Sequence, residues 1–219
     1  MESDSAIFDR TRSIADFLIA TAARQPTPGG GAVAALSGAL AAAIGEMTLR
    51  YSIGKKTSPE TAAALEPSIT RLSHARRLLL ELMVEDQSAY GSLAKLHKLP
   101  ADDWGRTTAL PGAVLTCIRV PQAIGATALA VLELCNTVVE LANPRLLSDL
   151  AVSAELAMAT VRCAVYNCRT NFVEVADTAQ RGQIEADVEK MLQRGVLLIQ
   201  QVIPRIWERH EQAAKSPQA

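Results

Sequence analysis

The chain has 219 residues, of which 49% are hydrophobic, 21% charged and 4% aromatic, with a formal net charge of −1. That length fits one domain with a sizeable core. The balance of charge excludes the basic footprint of a nonspecific nucleic-acid binder, and the acidic opening MESDSAIFDR holds no basic n-region or apolar run, so no secretory leader is expected.

With so few aromatics, the core must be built from Ala, Leu, Val and Ile. Ala and Leu head the helix scale, and no period-2 alternation breaks the pattern, so an all-α chain is expected. The first helix is placed at about Ser13 to Ala23, where Ser13 and Asp16 form a capping-box-like start. The run Gln25-Pro26-Thr27-Pro28-Gly29-Gly30-Gly31 then breaks the helical text. A second helix, about Ala32 to Tyr51, is made almost wholly of small residues. Its Gly38, Ala42 and Gly45 leave one flank nearly bare for a close-packed neighbour or a ligand. Ser58-Pro59-Glu60 opens a third helix, running toward Leu96 with a kink or restart at Pro67. Leu99 to Gly105 is predicted as a loop. A fourth helix, about Thr107 to Leu141, is predicted to be interrupted near Pro121 and to end at Asn143-Pro144. Ser148-Asp149 starts a fifth helix reaching about Asp177, and a sixth covers about Gln183 to Ala213 with a kink at Pro204. The expectation is a single domain over residues 1–219: a bundle of about six long helices, some Pro-kinked, with residues 1–10 and 213–219 as loose tails.

The longest uncharged stretch, Gln25 to Gly45, is broken by proline and glycine and dominated by Ala. It is expected as a helical hairpin core rather than a membrane span. Cys117, Cys135, Cys163 and Cys168 lie scattered in apolar helical text without a C-x-x-C pair, which suits buried thiols in a reduced, cytoplasmic protein. His74, His97 and His210 show no metal-binding spacing, so no metal site is expected.

Four features are candidates for chemistry. The Thr27–Ala32 loop carries three consecutive glycines at a helix start, where free N–H groups favour an anion or a polar ring edge. The alternative is a plain glycine-capped turn. Lys55 and Lys56 either face a carboxylate-rich ligand or are simply solvated. Asp86 follows the apolar stretch Leu78–Val84, where a raised pKa would suit a general acid or base, though amphipathic surfaces hold such residues too. Asp149 stands at a helix start, where an acid also complements the dipole.

Several blocks share an order with a known family: Pro26-Thr27-Pro28-Gly29-Gly30-Gly31-Ala32, then Gly38 to Ala43, Ile53-Gly54-Lys55-Lys56, Asp86 to Tyr90, and Val120-Pro121. Asn143, then Ser148 to Ala154, then Asn167 and Asn171 complete the series. From about Ser13 to Arg209 the chain resembles the formiminotransferase-cyclodeaminase / methenyltetrahydrofolate cyclohydrolase family. The resemblance implies a homodimeric helical bundle with folate sites near the subunit contact. It implies hydrolysis of methenyltetrahydrofolate to formyltetrahydrofolate, or closure of formiminotetrahydrofolate with release of ammonia. It implies Asp149 or Asp86 as general acid/base, Lys55 or Lys56 as the orienting cation, and Pro28, Gly29, Gly30, Gly31, Ser148 and Asn167 around the substrate. No cofactor beyond the tetrahydrofolate substrate, no nucleic acid and no membrane is implied. Ala32 stands where the family often has Ser, and Thr57 and Ser58 follow the lysines where it often has a third basic or amide residue and an aromatic. These departures leave room for a helical dimer that binds folate without turning it over.

Overall fold

The computed structural model describes residues 7–9, 11–55 and 57–215. Among them are six α-helices and no strand: α1 (Ile14–Ala22), α2 (Gly30–Ser52), α3 (Pro59–His97), α4 (Trp104–Val138), α5 (Leu147–Asn171) and α6 (Thr178–Lys215). Five are long and α1 is a short one. Capping side chains set most starts. Ser13, Ser58 and Asp103 each accept a hydrogen bond from the backbone N–H three residues on.

The boundaries differ from the sequence expectation in three places, each for a local reason. Asp103 caps α4, so Trp104 and Gly105 are helical rather than loop. α5 stops at Asn171 and passes into a 3-10 turn over Phe172–Glu174, short of the expected Asp177. Asp177 instead starts α6, its Oδ1 accepting from the N–H groups of Ala179 at 2.9 Å and Gln180 at 3.1 Å. The expected interruption near Pro121 does not occur, and of the kink or restart expected at Pro67 the restart does not, since both residues lie inside continuous helices, as do Pro111 and Pro204. A proline removes one backbone bond at a cost of about 3 kcal/mol, which burial of a whole helix face outweighs. Pro121 is itself buried between Val120 and Ile124.

Within the leading segment expected as a loose tail, Phe8 is held. It is buried, its N–H donates to Gln87 Oε1 at 2.8 Å, and its carbonyl accepts from Gln87 Nε2 at 2.9 Å. Its ring meets Phe17 of α1 edge-on at 5.0 Å. Residues 213–215 belong to the last turn of α6. The rest of both expected tails, residues 1–6, 10 and 216–219, lies outside the described residues.

α2 is the central helix, packed on α3, α4 and α5, while α6 covers α4 and α5. Its glycines repeat every seven residues and decide how close the neighbours come. A Cβ at Gly45 would lie 2.8 Å from Ser153 Oγ of α5 and 3.6 Å from Leu72 of α3. A Cβ at Gly38 would lie 3.1 Å from Thr160 and 3.2 Å from Leu79. Leu72 and Leu79 are seven apart, as are Ser153 and Thr160, and both series run opposite to α2. The three helices therefore interlock in layers, α2 antiparallel to both neighbours. Gly38→Val is expected to cost about 1–3 kcal/mol by overpacking this layer, read as a lowered denaturation midpoint with unchanged slope.

α2 and α4 are long and apolar enough to cross a membrane by length and composition alone, with mean hydropathy 1.6 and 1.5 in their best windows. Internal packing accounts for this in α2, whose window is 61% buried inside the bundle. Three of the four cysteines are buried as expected. Cys163 is exposed on the outer side of α5, a correction to the expectation of buried thiols throughout.

Candidate functional site

The heptad layering continues past Gly38 and changes character at the next layer. One heptad along α2 is Gly31, one along α3 from Leu79 is Asp86, and one along α5 from Thr160 is Asn167. These residues meet at the N-terminus of α2. A Cβ on Gly31 would fall 1.9 Å from Asp86 Oδ1, and one on Gly30 would fall 3.2 Å from Asn167 Oδ1. The first two layers close with methyl groups and hydroxyls, whereas this one closes with a carboxylate and an amide. Pro28 and Gly29 lead into it through a cis Thr27–Pro28 bond.

Asp86 does two things here. It accepts a hydrogen bond from the N–H of Ala32, in effect capping α2 from a neighbouring helix, since the Gly29 N-cap supplies no side chain. It is also partly buried, and that desolvation outweighs the hydrogen bond, so its pKa is pushed up to about 6. Asn167 Nδ2 donates to the Cys163 carbonyl at 2.9 Å, which leaves Oδ1 turned to Gly30. Asn171 Nδ2 bonds the carbonyls of Cys117 and Asn167, tying α4 to α5 at this end. Burial, then the charges of Asp86 and Glu174, push the Cys117 thiol up to about 11, so it is no nucleophile near neutral pH.

The remaining candidates lie at the other end of the bundle. Eighteen residues of α5 separate Asp149 from Asn167, about 27 Å at 1.5 Å per residue. Asp149 is partly buried in the first turn of α5, and Ser148 beside it is exposed. Lys55 is exposed in the loop after α2, and Lys56 lies outside the described residues. That loop is stitched down. Thr57 Oγ1 donates to the Ser52 carbonyl at 2.9 Å, and Ser52 Oγ accepts the Asn143 N–H at 2.7 Å. One chain thus carries two groups: Pro28, Gly29, Gly30, Gly31, Asp86 and Asn167 at one end, and Lys55, Ser148 and Asp149 at the other. Sequence reasoning found the members but missed the partition. It also missed the matched heptads Gly31-Gly38-Gly45, Leu72-Leu79-Asp86 and Ser153-Thr160-Asn167, whose seven-residue spacing was the available signal.

The family model described as formiminotransferase-cyclodeaminase matches residues 13–190. The chain belongs to this family. It is 30% identical over 184 residues to the methenyltetrahydrofolate cyclohydrolase of Methylorubrum extorquens, covering 82% of this chain and 88% of that one. It is 28% identical over 190 residues to the formimidoyltransferase-cyclodeaminase of Gallus gallus, where the match covers 84% of this chain but 35% of the relative, about a third of its length. The fold superposes on the crystal structure of formiminotetrahydrofolate cyclodeaminase from Thermotoga maritima with a TM-score of 0.78 and 25% identity, over 93% of this chain and 98% of that one. The all-helical architecture read from the sequence is that of the family.

Proposed function

We propose that the chain hydrolyses methenyltetrahydrofolate to formyltetrahydrofolate, with Asp86 as the general acid/base. The observation that carries this reading is the Asp86 carboxylate pressed on the glycine start of α2, with its pKa raised to about 6. The carbon between the two folate nitrogens is electrophilic. Ionised Asp86 takes a proton as a water oxygen bonds to that carbon, giving a tetrahedral centre. The same proton passes to one nitrogen as its C–N bond breaks, and the oxygen's remaining proton is lost to solvent as the formyl C=O forms. A pKa near 6 lets one group hold and return a proton near neutral pH. The bare backbone of Gly31 lets the carboxylate lie against the start of α2, and Asn167 Oδ1 lies beside Gly30 in the same layer. This scheme needs no cofactor beyond the tetrahydrofolate substrate and suits a cytoplasmic enzyme.

The cyclohydrolase relative supports this choice, since it is matched over nearly its full length. The second reading is formiminotetrahydrofolate cyclodeaminase, favoured by the Thermotoga structure, 98% of whose chain is superposed. There a substrate nitrogen takes the place of water and ammonia leaves, with the same carboxylate moving the proton. Adding protein to methenyltetrahydrofolate in a weakly catalysing buffer should speed the loss of its near-ultraviolet absorbance above the blank. No acceleration, together with ammonia release from the formimino compound, would establish the second reading. Tight folate binding without either turnover would leave a non-catalytic folate-binding dimer.

A further inference from the structure

Two neighbouring side chains of α3 hold the two ends of the leading segment. Asp86 takes its inner end, accepting the N–H of Ala32. Gln87 takes its outer end at Phe8: Oε1 accepts the Phe8 N–H at 2.8 Å, and Nε2 donates to the Phe8 carbonyl at 2.9 Å. The same Nε2 donates to the Met83 carbonyl at 2.9 Å, so the amide is also fixed to its own helix. Gln87 is 1% exposed. A buried amide that serves both backbone groups of one residue stands in for a paired strand, and its loss would leave an N–H and a C=O buried without partners. Between the two grips lie α1 and the Pro-Gly run. Phe17 is the one buried residue of α1, and its ring meets that of Phe8 edge-on, whereas Ile14, Leu18 and Ile19 are exposed. The Arg12 guanidinium lies over the Phe8 ring, 5.4 Å from its centroid. Phe8 is therefore the piece on which the start of the chain is seated.

This seat adjoins the carboxylate. At about 100° per residue, Met83 falls between Asp86 and Gln87 around α3, one turn nearer the helix start. Met83 is buried and belongs with Phe8, Phe17 and Ala32 to one packed cluster. Burial is what raises Asp86, and the Ala32 N–H opposes it; among the described residues no charged side chain takes part. α2 presents the backbone of Gly31 and Ala32 to it, and α4 the Cys117 thiol, which senses both Asp86 and Glu174. The proton affinity of this carboxylate is thus set by exclusion of water, and so by whatever keeps the adjoining cover in place.

We propose that Gln87 is a positioning residue for Asp86: by gripping both backbone groups of Phe8 it straps the segment from Phe8 to Phe17 against the Asp86 turn, and this strap keeps water from the carboxylate. The role in catalysis rests on Asp86 being the group that moves the proton. The hold of Asp86 on Ala32 and the packing of α2 between α3 and α5 do not pass through Phe8, so release of the strap leaves the bundle standing and wets one side of the carboxylate.

Gln87→Leu fills nearly the same volume but cannot grip, and Phe8→Ala keeps the amide but removes the ring that it seats. In both full-length variants, carbon-13 NMR titration of the Asp86 carboxyl should give a midpoint of about 5 or lower, against about 6 in the wild type. The rise of kcat/KM with pH should move down with it. Trypsin should cut after Arg12 on the order of 10-fold faster, because the strap opens more often. Gly38→Val controls for stability alone and should leave the midpoint where it is. A midpoint that stays near 6 in the folded variants overturns the proposal; if trypsin nevertheless cuts faster, Gln87 holds the strap without shielding the carboxylate. Should Gln87→Leu lose its helical circular dichroism, Phe8→Ala decides by the same titration. A wild type that turns over neither folate would remove the enzymatic reading, and a lowered midpoint in the variants would still support the strap as the shield of Asp86.

Discussion

Asp86→Asn is expected to lower kcat by about 10²–10⁴-fold on whichever folate the wild type turns over, the range for loss of a positioned general acid/base. Asn keeps the size of the side chain and still accepts the Ala32 N–H through its amide oxygen, so the N-terminus of α2 stays capped. What is lost is the ability to hold a proton. In the wild type kcat/KM should rise with pH through about 6 and level off above it, as the carboxylate becomes the proton-accepting form. The residual activity of the Asn variant should lack that inflection. Stability should move the other way. The folded pKa lies above the ordinary value of 3.8, so the native state binds more protons than the unfolded chain between pH 4 and 6. The wild type therefore loses stability as pH rises through that window, by on the order of 3 kcal/mol. Asp86→Asn escapes this loss and should melt higher than wild type at pH 7, with the gain gone near pH 4. A variant that is less active and more stable at pH 7 is the signature of a buried functional carboxylate. Equal pH profiles for the two proteins would assign Asp86 to capping alone.

Gly31→Ala is the second large expected effect, and its cause is geometric. The added methyl would sit 1.9 Å from Oδ1, 2.4 Å from Cγ and 2.6 Å from Oδ2 of Asp86, inside contact distance of the whole carboxylate. Asp86 has only two side-chain torsions, so it must swing off the Ala32 N–H to relieve the clash. Displacement of a reacting group by about 1 Å costs on the order of 10²-fold in kcat. The same change gains helix propensity worth about 0.5–1 kcal/mol, so global stability should change little. The informative result is the split: turnover falls, the melting temperature holds, and the inflection near pH 6 shifts because the carboxylate has a new environment. Gly38→Val, one heptad along the same helix, should do the reverse, lowering stability without moving the pH profile. If Gly31→Ala retained full turnover, the seat of the Asp86 carboxylate against Gly31 would have no part in the reaction.

The all-helical class and the order of the helices were legible because Ala and Leu fill the chain and because Ser13, Ser58 and the Asn143-Pro144 step are local signals, each acting within a few residues. The ends of α5 and α6 were not, since nothing local distinguishes Asp177 as a cap from Asp177 as a helical residue until the chain turns at Phe172. Pro121 misled for a related reason. Its local preference is to break a helix, and burial against the bundle overrides it. The candidate site was legible in its members, through the glycine run, Asp86 and Asn167, but not in its geometry. Asp149 and Asp86 look interchangeable along the sequence, and only the antiparallel course of α3 and α5 beside α2 sets one of them on Gly31 and the other about 27 Å away.

Composition and capping chemistry by themselves determined a helical chain with a glycine-rich break before a small-residue helix, because helix propensity and caps are short-range effects. The tertiary structure decided which residues share a heptad layer and which carboxylate loses its water. Those depend on which side chains meet from helices far apart along the chain, and desolvation, unlike propensity, has no value until the neighbours are in place.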